Sequence, residues 1–582
     1  MIERPEPPSR RQVIAVLVAC GAIGAFLGAV WRPEWQDALE PAQVLAGLVS
    51  YPSDNPVYIY STRTWTVLHQ VPALLLSLGC SERALTLMLS GVMGMVSLQA
   101  LGLIVLALSG DVPLAILSPV FILVTNTASG GVTYPVHLLG VSFTYGVLGL
   151  SYLLLAVGLM GAGQVRWGAL LLGFGPAVHA TIGAWGIVLV TTTIAICPRR
   201  VRQSTAAAWP YFLVGVGVAA VGAAAHYLPA NSAPPAGLSA FVQHWDEHRQ
   251  PFRLLSGRAL ATYFSAGLPI LWLWRFRRDV PPPATFLLGS LAVAAVVGGT
   301  LSASYWIVPA EVPNVIPALM PSRLLNLNVM SSMALIIGLS ATYRSSAVVQ
   351  SALAVMVCVL IVLAAWLAPN EDPRFAMLLG WTVMVACGLL LAIVAERRRR
   401  AVALPAWPPG RLTWTRRVIT GAMVAALIAV IVAATAAFSP MLRRRLADST
   451  TDLALAAAAT RSGLLLAAGD LHQIQLLTRR PVLLDGGALD ALLYVPEAAA
   501  ETDRILQRVY GTDLQSVRRT GVGRLAEGAA KALWEARTAE EWTDVAHEFA
   551  VADILTGADW RLQLPVVASS SDFILYAVAE HR

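Results

Sequence analysis

Apolar runs close to twenty residues long recur from Gln12 to Phe438 and then stop, and no other feature constrains the chain as strongly. About twenty apolar residues wound as a helix match the roughly 30 Å hydrocarbon core of a bilayer. In lipid the backbone has no water to bond to, so a spanning segment must satisfy its own N–H and C=O groups as a helix. The 582 residues are 57% hydrophobic and 13% charged, with a mean hydropathy of +0.65, too apolar to cover a soluble surface. The reading is a mainly α, polytopic transmembrane helix bundle over residues 1–447. Residues 448–582, which lack the long runs, are expected to form a soluble α/β domain.

Thirteen spans are expected, at 12–31, 66–80, 85–108, 112–127, 136–161, 168–197, 208–229, 258–275, 283–300, 328–343, 347–367, 374–395 and 418–438. Those at 66–80 and 112–127 are short. The stretch up to Trp31 is longer than the apolar region of a cleaved signal, so it reads as an uncleaved first span. Short cytoplasmic loops are enriched in Lys and Arg. With Arg10-Arg11 inside, the threading puts Arg199 to Arg202, Arg275 to Arg278, Arg397 to Arg400 and Arg416-Arg417 inside as well, while Arg443 to Arg445 fall outside. The N-terminus is then cytoplasmic and the C-terminal domain lies outside a bacterial inner membrane, in the periplasm. The threading also puts Asp37, Glu40, Asp54, Asp111, Asp246, Glu247 and Glu311 outside, and Glu82 inside.

Charge divides the same way. Residues 1–447 hold 29 Arg and 15 Asp and Glu, whereas residues 448–582 hold 12 Arg and Lys against 19 Asp and Glu. The arginines sit between apolar runs as topology signals, so the basic balance calls for no nucleic-acid partner. The five cysteines lie in or at the ends of apolar runs without metal-ligand spacing, which indicates neither a disulfide framework nor a zinc site.

Three outer loops, at 32–65, 230–257 and 301–325, carry the candidate chemistry. In the first, Asp37 and Glu40 are three residues apart, so on a helix both carboxylates share a face. Repulsion and desolvation in such a pair raise one pKa, as a general base requires; a solvated acid pair at a helix N-terminus is the plain alternative. The second loop holds His244, Asp246, Glu247, His248 and Arg249 between aromatic residues. His244 and His248, four apart, could share a metal such as Mg or Mn, although the order is not that of a zinc protease; an interfacial amphipathic helix fits equally. The third loop has three prolines before Arg323, whose guanidinium suits a phosphate or carboxylate. His179, inside a run, is a cavity-facing candidate or a packed, hydrogen-bonded histidine.

In the tail, apolar runs at 463–468, 481–487, 552–556 and 573–578 alternate with helical stretches at 470–478, 496–509 and 523–549, the pattern of an α/β layer fold. Asp485-Gly-Gly lacks the strand-turn-helix context of a nucleotide loop, Ser569 to Asp572 read as a turn, and the domain reads as a lid or partner-binding module.

A first outer loop with an acidic pair, many further spans, an arginine in a late outer loop and a terminal α/β domain together resemble the GT-C superfamily of membrane glycosyltransferases. The resemblance is architectural and its motifs are short; the acids are spaced Asp-x-x-Glu, where the commonest pattern has them adjacent. It implies hexosyl or pentosyl transfer from a polyprenyl-phosphate donor to a glycan, lipid or protein acceptor. It also implies Asp37, then Glu40, as base, with Arg323, His179, His244, Asp246, Glu247, His248 and Arg249 on the substrate side and a divalent metal as a possible cofactor. A transporter, which predicts internal repeats and charged or broken midplane helices, and a non-catalytic polysaccharide-assembly subunit are the competing classes.

Overall fold

The computed structural model describes residues 6–31, 35–125, 136–139, 145–227, 254–275, 280–307, 319–342, 461–468, 473–492, 494–515 and 527–578, with isolated residues 252, 316, 349 and 352. The expected spans at 347–367, 374–395 and 418–438 lie outside these residues.

The bundle is built on α1 (Arg10–Trp31) and α5 (Glu82–Ser109), which run antiparallel in close contact. Gln12 Nε2 donates to the Gly110 carbonyl at 3.4 Å, so the start of α1 lies beside the end of α5. Small residues permit the approach, as usual between helices in lipid. A Cβ added to Gly94 would stand 2.2 Å from the Gly24 carbonyl oxygen, and one on Gly28 would stand 2.1 Å from that of Ser90. Because those atoms are backbone, a larger residue can be accommodated only by separating the helices. Gly94→Leu is therefore expected at the upper end of the ~1–3 kcal/mol cost of overpacking, read as a lower yield of monodisperse chain after detergent extraction.

Between them the chain stays at one end of the bundle. It forms α2 (Leu39–Leu45), α3 (Pro56–Arg63) and α4 (Val67–Ser77) there before α5 turns back. The expected span at 66–80 is thus corrected. Eleven residues at ~1.5 Å each make about 16 Å, half a hydrocarbon core, and Pro72 lies inside the helix.

From α5 the chain continues through α6 (Val112–Val124), α7 (Tyr145–Gly161), α8 (Val165–Val178) and α9 (Ala180–Ile196). The single run expected at 168–197 is this α8–α9 hairpin. Thirty residues would make a helix of about 45 Å, too long for one crossing. The chain reverses at His179, whose backbone is extended and whose Nδ1 accepts from the Ile182 amide at 3.4 Å to cap α9. A Cβ on Gly183 would lie 2.3 Å from the Pro176 nitrogen, so glycine is required where the two arms touch. The short basic helix α10 (Arg199–Ala206) and the longer α11 (Trp209–Tyr227), α12 (Gly257–Arg275), α13 (Pro282–Ile307) and α14 (Arg323–Thr342) complete the described bundle. Among the described residues α1, α5, α13 and α14 are long and apolar enough to cross a membrane.

The contacts sort the helix ends. Leu287 lies against Gly161, Gly289 against Thr193 and Cys197, and Gly338 against Leu108, which gathers Arg10, Asp111, Arg199 and Arg275 at one end, the arginine end. The first loop, His179 and Arg323 lie at the other. Two errors in the expected threading cancel, the span that is not there and the span that is two, so the later arginine clusters keep their common side. Between the errors the assignments invert. Asp111 belongs to the arginine end, and Glu82 to the end of Asp37 and Glu40.

The C-terminal domain is a four-stranded sheet of order β1-β2-β4-β3, with β1 (Leu464–Ala467) parallel to β2 (Val551–Gly557) and the pairs of β4 (Phe573–Ala577) with β2 and with β3 (Val566–Ser569) antiparallel. Helices α15 (Ile474–Thr478), α16 (Gly486–Ala491), α17 (Ala499–Ile505), α18 (Glu527–Ala536) and α19 (Ala539–Phe549) accompany it. Side chains alternate across a strand: Leu466, Ile554 and Tyr576 join a core around Trp534, Trp542 and Trp560, while Leu465, Leu555 and Leu575 join a second core with Ile474 and Val482. Both faces are covered, so the strands read as continuous apolar runs. The run at 481–487 makes only a single bridge, Val482 to Leu465, before α16, and β3 is a strand that its mixed sequence conceals.

Candidate functional site

The first loop and the C-terminal domain fold into each other. Asn55 caps α3 by accepting from the amides of Val57 and Tyr58, and its Nδ2 donates to the Leu483 carbonyl at 3.0 Å. Val57 is buried in the domain's tryptophan core, and Leu476 of α15 in the core of the membrane bundle. Tyr51 donates to Gln475 Oε1 at 2.6 Å and accepts from the Val482 amide at 2.9 Å. Arg479 pairs with Glu82 at 2.8 Å, which fixes Glu82 on the domain's side.

Both predicted acids lie in this seam. Asp37 stands just before α2, and its Oδ1 accepts from Gln473 Nε2 at 2.9 Å; the same amide donates to the Trp35 carbonyl at 3.0 Å. Glu40 is in the first turn of α2, with its carbonyl accepting from Gln475 Nε2 at 2.7 Å. Burial pushes the Glu40 carboxyl well above the usual carboxylate range, and the charges of Asp485 and Asp37 push it further, against a hydrogen bond from the Leu476 amide. Asp485, the N-cap of α16, completes an acidic group drawn from both halves of the chain.

Beside the acids an array of two partly buried phenols and the buried His69 imidazole leads into the bundle. Tyr60 is within electrostatic reach of Asp485, Asp37 and Glu40 and packs edge-on against His69, with ring centroids 5.9 Å apart. His69 Nδ1 lies 3.1 Å from the Thr64 carbonyl and must therefore carry the proton; its Nε2 then accepts from the Tyr145 hydroxyl at 2.5 Å. One turn further along α7, Gly149 leaves room for His179, a Cβ there coming 2.9 Å from the His179 Cβ. His179 Nε2 is 3.3 Å from Arg323 Nη1. The Ile182 amide and the guanidinium thus both approach as donors, and a neutral imidazole has one lone pair for them. An anion that accepted from Arg323 would relieve that competition.

Of the predicted residues, the structure brings Asp37 with Glu40 and Arg323 with His179, all at the domain end of the bundle. His244, Asp246, Glu247, His248 and Arg249 lie outside the described residues. Among the described residues no three His, Cys, Asp or Glu are grouped to hold a metal ion. Sequence reasoning missed Gln473, Gln475, Asp485, Tyr51, Tyr60 and Tyr145. The only available signal was the tyrosine-rich segment from Tyr51 to Tyr60, since the partners in the tail are more than 400 residues away.

No family model matches the chain, and no curated protein matches it. Among solved structures it is similar to ArnT from Cupriavidus metallidurans bound to undecaprenyl phosphate. The two are 14% identical with a TM-score of 0.38 over 98% of this chain and 99% of that one, a likeness too loose to set residues in correspondence.

Proposed function

We propose that this multi-pass protein is a membrane glycosyltransferase of the GT-C type, set in a bacterial inner membrane with its C-terminal domain outside. It moves a hexose or pentose from a polyprenyl-phosphate donor to an extracytoplasmic glycan, lipid or protein. The observation that carries this reading is that a partly buried acid pair and an arginine–histidine pair share one end of the bundle beneath the C-terminal domain, where Tyr145, in electrostatic reach of the acids, and Gly149, against His179, are one turn apart on α7. A carboxylate in such a seam takes the proton of an acceptor hydroxyl as its oxygen attacks the anomeric carbon. The bond from that carbon to the phosphate oxygen breaks on the opposite face, giving inversion. The charge left on the phosphate is met by Arg323, whose planar guanidinium accommodates two oxygens at once. Asp37, the less crowded by its neighbours, is assigned as base, and Glu40 supports it.

The test is transfer in proteoliposomes from a panel of polyprenyl-phosphate-linked hexoses and pentoses, radiolabelled in the sugar, into acceptors extracted from bacterial envelopes. At least one donor is expected to be consumed, and Arg323→Gln is expected to raise the donor KM about tenfold or more through loss of a charge-assisted contact. The reading fails if no donor is consumed, or if Asp37→Asn and Glu40→Gln both keep the full rate.

A further inference from the structure

Of the three described residues of the C-terminal domain that adopt left-handed backbone conformations without being glycine, two bracket α15: Gln473 at φ 63° and Arg479 at φ 53°. Such conformations cost energy for a residue with a Cβ and persist where surrounding contacts hold them, often at functional sites. Here both residues reach across to the membrane half. Gln473 donates to Asp37 and to the Trp35 carbonyl, and Arg479 makes a two-pronged contact with Glu82, Nε to Oε1 at 2.8 Å and Nη2 to Oε2 at 3.0 Å. Between them Gln475 joins the Glu40 carbonyl, the Gln43 side chain and the Tyr51 hydroxyl. The five-residue helix and its two flanking residues thus commit three polar side chains to the first loop and the start of α5.

We infer that α15 is a clasp by which the C-terminal domain positions the acid pair, and that Gln473 is a positioning residue whose amide sets the orientation and protonation of Asp37. The inference rests on the glycosyl-transfer reading only for the consequence to rate; the clasp itself is a matter of contacts. An amide N–H donated to a carboxylate favours its ionised form, and Gln473 is the donor that the domain presents to Asp37. The other titratable groups around Asp37 are Glu40 on its own segment, Asp485 from the domain, and the phenols of Tyr60 and Tyr145 with His69 behind them, while Glu82 is neutralised by Arg479. The neighbouring carboxylates bring like charge toward Asp37, and the Gln473 amide brings a donor to it.

The test uses the full chain in lipid nanodiscs and an apolar carbodiimide, which reacts with the protonated carboxyl, with labelling of the Asp37 peptide followed by mass spectrometry against pH. Loss of the amide in Gln473→Leu is expected to move the labelling midpoint up by about one pH unit, the scale of a single hydrogen bond. Gln473→Glu, which adds a like charge, is expected to move it further. Arg479→Glu is expected to open the clasp and shift the midpoint upward, and adding Glu82→Arg to restore it, a rescue that general destabilisation does not produce. Unchanged midpoints in Gln473→Leu and Gln473→Glu overturn the inference, as does a charge swap that fails to rescue. Because labelling needs no sugar donor, those outcomes stand apart from a failure of the glycosyl-transfer reading, which shows as no donor consumed or as full activity in both the Asp37 and Glu40 variants.

Discussion

Asp37→Asn is expected to lower sugar transfer by about 100- to 10,000-fold, the range over which a positioned base contributes to proton transfer, with little change in donor KM. The substitution keeps the size of the side chain and its acceptor oxygen for Gln473, so the seam between the halves should survive. What is lost is the lone pair that takes the hydroxyl proton. Glu40→Gln should act differently. Glu40 is held protonated over an extended pH range by burial and by Asp485 and Asp37, and it contributes a like charge near Asp37 only where it ionises. Where Glu40 is neutral it puts no charge beside Asp37, so Glu40→Gln is expected to leave the acid limb of the rate profile in place. The measurement is the pH dependence of kcat/KM for both variants beside the unsubstituted chain. A loss of rate in Glu40→Gln as large as that expected for Asp37→Asn would show that Glu40 is itself the base.

The parts legible in the sequence were those set by local periodicity. Runs near twenty residues gave most of the described helices, and five-residue runs gave three of the four strands. The errors have a common origin in treating hydrophobicity as crossing. The segment at 66–80 is apolar because α4 lies against the bundle, with His69 facing inward and Leu74 and Leu78 outward, and not because it traverses. The run at 168–197 is uninterrupted because a hairpin turning at His179 inside protein needs no polar loop. The acid pair was legible as a pair, since Asp37 and Glu40 are near neighbours. Their environment was not: Gln473, Gln475 and Asp485 reach them only after the chain has returned from the far end of the sequence. Asp553 was hidden in the opposite way, inside a stretch, Val551 to Leu555, that reads as a buried strand.

That aspartate carries the second large effect. Asp553 is wholly buried at the centre of the sheet, on β2 between β1 and β4. Arg480, itself 3% exposed, approaches its Oδ2 at 2.7 Å, and Arg461 approaches its Oδ1 at 3.3 Å. A buried ion pair gains little over an apolar replacement of the whole pair, because desolvation offsets the attraction, but removing one partner strands the other charge at a cost of about 3–5 kcal/mol. Asp553→Ala is therefore expected to destabilise the C-terminal domain by about that amount, a large share of a typical domain's margin of roughly 5–15 kcal/mol. Arg480→Met should cost less, since Arg461 still faces the carboxylate, and the double variant Asp553→Leu with Arg480→Met should recover much of the loss. Hydrogen exchange of peptides covering Val551–Gly557 in the full chain measures this directly. Arg480 follows Arg479 in sequence, so the two guanidinium groups tie adjacent residues to opposite structures, one to the sheet and one to Glu82 of the bundle. Loosening the sheet in Asp553→Ala should therefore also weaken the hold of α15 on the first loop. Exchange in peptides covering residues 35–45 should rise together with exchange in β2; if it stays at the level of the unsubstituted chain, the sheet and the acid pair are mechanically independent.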